Sequence, residues 1–151
     1  MKNILSGDAI IEATEGFISA KKQLRSFTLD LTARSISRII TGGSLDFGGS
    51  EYGEAYTEPV EPVKKSPDEP YGWWNLDRGN YIVRFNEKIK PGADAGIMIC
   101  PHERLAAAGA SHSAILVETL DDAVCVTLSI GPGGLAIKEN ARLSTAMVFC
   151  E

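Results

Sequence analysis

The residues able to do chemistry fall into a few groups. His102, Glu103 and Arg104 place an imidazole, a carboxylate and a guanidinium side by side at the start of PHERLAAAGA. Glu103 near a helix N-terminus suits the helix dipole, so an exposed helix start would account for the trio as well. A second group is the acidic stretch VETLDDAV, with Glu118, Asp121 and Asp122. Carboxylates there could orient a water molecule, whereas an acidic turn between strands needs only solvent. Lys21, Lys22, Arg25, Arg34 and Arg38 crowd a third stretch in which Asp30 is the sole acid. That run is the best cationic surface for an anion, and a basic edge strand that discourages aggregation would look the same. His112, in GASHSAI, could act as a general base, but no Ser or Cys nucleophile pattern accompanies it, and a lone loop histidine is usually structural. GPGG at 131–134 lacks the Lys-Ser/Thr of a phosphate loop and reads as a turn.

Composition narrows the function classes. The chain has 151 residues and a formal net charge of −5. An acidic balance argues against a general nucleic-acid binder, which needs an excess of Lys and Arg to neutralise phosphates, though a few local cations suffice for a small anionic ligand. Cys100, Cys125 and Cys150 are odd in number and widely spaced, without Cys-x-x-Cys. That pattern argues against a disulfide framework or zinc site and for small apolar thiols in a reducing cytoplasm. There is no signal-peptide pattern, and apolar runs fall well short of the roughly 20 residues that span a bilayer. A soluble, cytoplasmic protein with no membrane partner is expected.

Positioning these residues requires a β-rich scaffold. Residues 5–17, LSGDAIIEATEGF, predict a short amphipathic helix with Ser6 as N-cap, Asp8 in the first turn, an apolar stripe of Ile10, Ala13 and Phe17, and Gly16 near its end. SFTLDLTA (26–33) switches to period two, with Phe27, Leu29, Leu31 and Ala33 inward and Asp30 on the polar face. Ile36 breaks the alternation and predicts a bulge near Arg34–Ser35. Residues 41–80, dense in Gly and Pro, predict loops and edge strands, with Trp73–Trp74 needing an apolar seat in the core or at a subunit contact. NYIVRF, AGIMIC, SAILVE, AVCVTLSI, LAIKE and STAMVF then read as short strands, and PHERLAAAGA as one or two helical turns closed by Gly109.

The order of these pieces resembles the dCTP deaminases and, more distantly, the trimeric dUTPases. ILSGDAIIEA is similar to the family opening I-L-S-x-x-D-I-x-x-A, and SFTLDLTA to its S-V-D-L-R-L strand. WNLDRGNYIVRFNEKIKPGADAGIMICP resembles L-x-P-G-E-F-x-L-A-x-T-x-E-x-x-x-L-P. PHERLAAAG falls where the family has R-S-S-L-A-R-L-G, and GGLAIKENARLSTAMVF resembles its last strands. The likeness runs along nearly the whole chain. It implies a mainly β fold, a dUTPase-like distorted β-barrel (β-clip) with a short N-terminal helix and one short internal helix, in a single domain over residues 1–151. It also implies homotrimers that bind a deoxynucleoside triphosphate with Mg²⁺ at sites between subunits.

Carried over residue by residue, the resemblance is uneven. The family's Arg-Ser-Ser phosphate-binding run falls on His102, Glu103 and Arg104, where a glutamate would repel a polyphosphate. Ser129 stands where the deaminases have their water-activating glutamate, and serine is not the same acid/base at neutral pH, which argues against dCTP deamination. The dUTPase catalytic aspartate falls in the region of Glu118, Asp121 and Asp122, without the usual aromatic and glycine. Asp30 matches the aspartate that helps hold the magnesium–water cluster. The arm that closes over the nucleotide in family enzymes has no counterpart after MVFCE, so a bound triphosphate is expected to be less enclosed. Three functions stay open: an altered nucleoside-triphosphate hydrolase, an inactive binding or regulatory relative, and a structural subunit using the Trp73–Trp74 region as a contact.

Overall fold

The structure is a computed structural model that describes residues 3–150. The strands are β1 (Asn3–Ile4), β2 (Thr14–Glu15), β3 (Leu29–Thr41), β4 (Tyr56–Pro59), β5 (Trp73–Leu76), β6 (Gly79–Phe85), β7 (Lys88–Ile89), β8 (Ala95–Pro101), β9 (Ala110–Ser111), β10 (Ile115–Val117), β11 (Val126–Ile130), β12 (Leu135–Lys138) and β13 (Arg142–Cys150). The helices are α1 (Gly7–Glu12), α2 (Ala20–Gln23) and α3 (Glu103–Ala108). The chain is mainly β. Among the described residues, no helix is long and apolar enough to cross a membrane.

One sheet dominates, in the order β10-β8-β13-β3-β6-β11-β9, with β1 added to β13 and β4 to β3. β3 is its spine. Its first half pairs with β13 (Leu29↔Ala146, Asp30↔Thr145) and its second half with β6 and β4. The register shifts between Ala33 and Ser35, where the broken alternation predicts a bulge. A bulge bends a strand and increases its twist, which lets β3 leave one half of the sheet and enter the other. Backbone groups at the bend are not orphaned: Ala33 N donates to Ala141 O, and Asn140 N donates to Ala33 O.

The alternating patterns work where one face meets solvent. Tyr81, Val83 and Phe85 of β6 are buried while Asn80 is exposed, and Val126, Leu128 and Ile130 of β11 are buried while Thr127 and Ser129 face out. These side chains meet Leu29, Leu31, Ile97, Ile99 and Val148 in one apolar core. Burial of this area is the main favourable term holding the sheet closed.

Four expectations need correction. The first helix covers only Gly7–Glu12, because Thr14 and Glu15 pair with Ile89 and Lys88 as a strand. Ser6 holds the N-cap position without a side-chain cap bond. Gly16 lies beyond the helix at φ 84°, where an added Cβ would sit 2.3 Å from Asn86 O. The Asp30 side of β3 is not a solvent face, since Asp30 and Thr32 are both buried. β3 is interior, so the basic run does not line a sheet edge. Residues 41–80, by contrast, form loops and the short edge strands β4 and β5 as expected, and Trp74 enters the core while Trp73 is half-buried under Lys65 and Lys138. A short helix, α2, appears where none was expected. PHERLAAAG forms α3 as anticipated, closed by Gly109 at φ 100°.

Candidate functional site

Asp30 lies at the centre of a charged cluster and is 0% exposed. Arg25 Nε is 3.3 Å from Asp30 Oδ1, Arg142 Nη1 is 3.3 Å from Oδ2, and Thr145 Oγ1 donates to Oδ1 at 3.3 Å. His102 Nε2 lies 3.4 Å from Oδ2. The other ring nitrogen, Nδ1, accepts from Arg104 N at 3.1 Å and caps α3. With Nδ1 accepting, a neutral ring carries its proton on Nε2, facing the Asp30 carboxylate. Arg25 Nη2 lies 2.9 Å from the same nitrogen, and because a guanidinium only donates, it bonds Nε2 only in the tautomer that leaves Nε2 without a proton. Glu103 adds an outer ion pair to Arg25 at 3.6 Å. His102 is therefore not part of an exposed helix start: it is buried, while Glu103 and Arg104 are exposed.

This donor set does not suit magnesium. Both oxygens of Asp30 already face guanidinium groups, and a divalent cation there would meet like charge. Among the described residues, no cluster of three or more His, Cys, Asp or Glu could hold a metal ion.

Behind Asp30 lies a second polar network that its sequence neighbours do not announce. Gln23 Oε1 accepts from Ile18 N and Ser19 N, both at 2.9 Å. Its Nε2 donates to Asp30 O at 2.9 Å and to Glu87 Oε1 at 2.7 Å. Glu87 also accepts from Thr32 N at 2.9 Å and from the Thr32 hydroxyl. Burial pushes the Glu87 carboxyl above its ordinary range, against the pull of these bonds. Asn86 Nδ2 joins Thr32 Oγ1 to Asn140 Oδ1, both at 2.9 Å.

The acidic turn lies elsewhere. Asp122 pairs with Lys88 Nζ at 3.0 Å and with Arg34 Nη1, and its backbone oxygen accepts from Arg84 Nε at 3.2 Å. The bonds from Lys88 and then Arg34 hold its carboxyl below the usual range, so it is ionised at neutral pH. Asp121 Oδ1 accepts from Ala123 N at 2.9 Å, a local turn bond, and Glu118 is exposed. Arg34 of the basic run is thus committed to Asp122, and Arg38 lies over the Tyr81 ring at 4.9 Å.

Ser129 occupies a third location, beside an open cleft of about 490 Å³ lined by Arg78, Gly109, Ser111, Ser129 and Pro132. Its hydroxyl donates to Asn80 Oδ1 at 2.9 Å across the β6–β11 pair. No carboxylate lines this cleft. Nearby, Gly134 N donates to Gly131 O at 3.1 Å, so GPGG forms a turn. His112 is buried, with Nε2 2.8 Å from Ser144 Oγ and Nδ1 2.9 Å from Ser113 O. Burial lowers its pKa, so the ring is neutral and structural. All three cysteines are free and half-buried, and burial raises the Cys125 thiol, which keeps it protonated and unreactive.

The fold thus joins Asp30, His102 and Glu103, and separates them from Asp121, Asp122 and Ser129. Gln23, Glu87 and Arg142 complete the scaffold around Asp30. Nothing in their spacing signals a shared network, because their contacts span long stretches of chain.

The mainly β fold, with α3 between β8 and β9, has a counterpart among solved structures. A crystal structure of 2′-deoxycytidine 5′-triphosphate deaminase from Agrobacterium tumefaciens superposes with a TM-score of 0.65 over 99% of this chain, at 14% identity. This chain spans about half (47%) of that protein's length. A protein of Methanosarcina mazei described as a probable deoxyuridine 5′-triphosphate nucleotidohydrolase is 26% identical over 145 residues, covering 89% of this chain and 77% of the relative. No family model matches. The chain is thus similar in sequence to a probable dUTP nucleotidohydrolase and shares its fold with a dCTP deaminase.

Proposed function

We propose that this chain binds a deoxynucleoside triphosphate and does not deaminate dCTP. The observation that carries this reading is the cleft beside α3. Ser129 and Ser111 offer hydroxyl groups suited to the edge of a base, and Arg78 offers a cation to phosphate. Deamination needs a group that takes a proton from water and returns it to the leaving nitrogen, and the cleft lining has no carboxylate for that task. Mg²⁺ would arrive with the triphosphate, since Asp30 is committed to its arginines. The reading extends to a single domain acting as a cytoplasmic homotrimer, with sites shared between subunits and no nucleic-acid or membrane partner.

A hydrolase is the second reading. Asp122 is held ionised, and Asp121 lies beside it on an exposed turn, so either could orient water for attack on a triphosphate supplied across a subunit boundary. Titration of the purified chain with dUTP, dCTP and dTTP in Mg²⁺, with pyrophosphate release followed in parallel, separates the two. Saturable binding that Arg78→Ala weakens tenfold or more, without pyrophosphate, is the expected result. Turnover abolished by Asp121→Asn or Asp122→Asn would establish the hydrolase. No binding of any of the three overturns both readings.

A further inference from the structure

Residues 42–55 form an arm that connects β3 to β4. It is ordered by its own bonds. Ser44 and Gly53 exchange backbone hydrogen bonds at 2.9 and 3.0 Å, and Ser44 Oγ donates to Glu51 O at 2.7 Å. Asp46 accepts from Gly49 N and Glu51 N, each at 3.0 Å. These bonds fix a tip whose largest apolar side chains are exposed: Leu45 is 89% exposed and Phe47 109%. The arm carries Asp46, Glu51 and Glu54 and has no Lys or Arg.

Elsewhere on the same chain lies a surface of opposite character. A shallow trench of about 240 Å³ runs between α3, β12 and the start of β13. Leu105, Leu135 and Ile137 supply apolar walls, while Arg104, Lys138 and Arg142 supply positive charge, and no acid lines it. Among the described residues, Arg104 and Lys138 have no acidic ion-pair partner.

We propose that the arm of one copy docks in the trench of a second copy, seating Phe47 and Leu45 against the apolar walls and the arm's acids against Arg104 and Lys138. Two features that are unexplained within one chain complement each other in polarity and charge. The contact joins different surfaces of the two copies, so repetition closes a ring when the rotation between copies allows it. An acidic arm is unsuited to phosphate or anionic lipid, and its exposed Leu45 and Phe47 suit a cationic, apolar surface such as the trench. The inference does not depend on nucleotide binding.

Sedimentation velocity of the full chain, without nucleotide, tests it. The wild type should associate above one-chain mass. The arm variant Leu45→Ser/Phe47→Asp and the trench variant Ala136→Glu should each associate at least tenfold more weakly with unchanged circular dichroism. Both changes fall on exposed side chains, and Ala108→Glu, also exposed in the trench, replaces Ala136→Glu if that chain does not fold. Mixing the two variants is decisive. The trench variant keeps its arm and the arm variant keeps its trench, so a one-to-one heterodimer should form. A monomeric wild type, an arm variant that assembles normally, or a mixture that yields no heterodimer overturns the proposal.

Discussion

Gln23→Leu removes four hydrogen bonds from a position only 2% exposed while keeping a side chain of similar size. The cavity contribution is therefore small, and the loss reports on polar satisfaction. Asp30 O loses its Gln23 donor, and leaving a buried polar group unsatisfied costs about 1–3 kcal/mol, whereas Glu87 Oε1 keeps the Thr32 hydroxyl and loses one bond of about 1 kcal/mol. Ile18 N and Ser19 N lie in a partly buried segment and can recover water, adding about 0–1 kcal/mol together. The expected destabilisation is about 2–5 kcal/mol, which for a chain of this size lowers the melting temperature by roughly 4–20 °C. Chemical denaturation of wild type and variant, followed by far-ultraviolet circular dichroism, gives the difference directly. A loss below about 1 kcal/mol would refute the claim that Gln23 ties α2 to β3 and to the β6–β7 turn. Gln23→Glu is a useful companion: it sets a second carboxylate against Glu87, so its penalty should shrink as the pH falls.

Glu87 gives a pH signature of definite sign. Its folded pKa is raised above the ordinary 4.5, so as the pH climbs the unfolded chain gives up its proton first. The stability it contributes is therefore full below about 4.5 and is lost as the pH rises through the folded value. The melting-temperature difference between wild type and Glu87→Gln should move against the wild type across that window, and a flat or opposite trend would count against the buried carboxylate. Asp30→Asn leaves Arg25 and Arg142 without their shared anion. Because both arginines are partly exposed and can rehydrate, the expected cost is about 1–3 kcal/mol rather than that of a fully buried pair. Urea unfolding showing less than about 0.5 kcal/mol would mean that the cluster does not brace β3.

The legible parts of this fold were those decided locally. The alternation in β6 and β11, the bulge after Ala33 and the Gly109 stop each follow from side-chain period or backbone permission, which a short window contains. Asp30 shows the limit. Its alternation with Leu29 and Leu31 is the pattern of a half-exposed strand, and Arg25, His102 and Arg142 closing over its carboxylate, with α2 and the Asn86–Glu87 turn beside them, convert it to a buried one. The same limit affects the site. Residues 102–104 and 121–122 stood out as titratable groups, but whether a carboxylate is free depends on cations far along the chain, such as Arg142 for Asp30 and Lys88 for Asp122.

The position of β13 bears on how the chain folds. It lies in the middle of the main sheet, between β8 and β3, yet it is the last strand in the sequence. During synthesis, β3 and β8 must wait with their facing edges unpaired until β13 emerges. Contacts this non-local slow folding, and unpaired edges invite association with other nascent chains. The backbone groups most at risk of aggregation are therefore those that become the most protected once Leu29 meets Ala146 and the sheet closes.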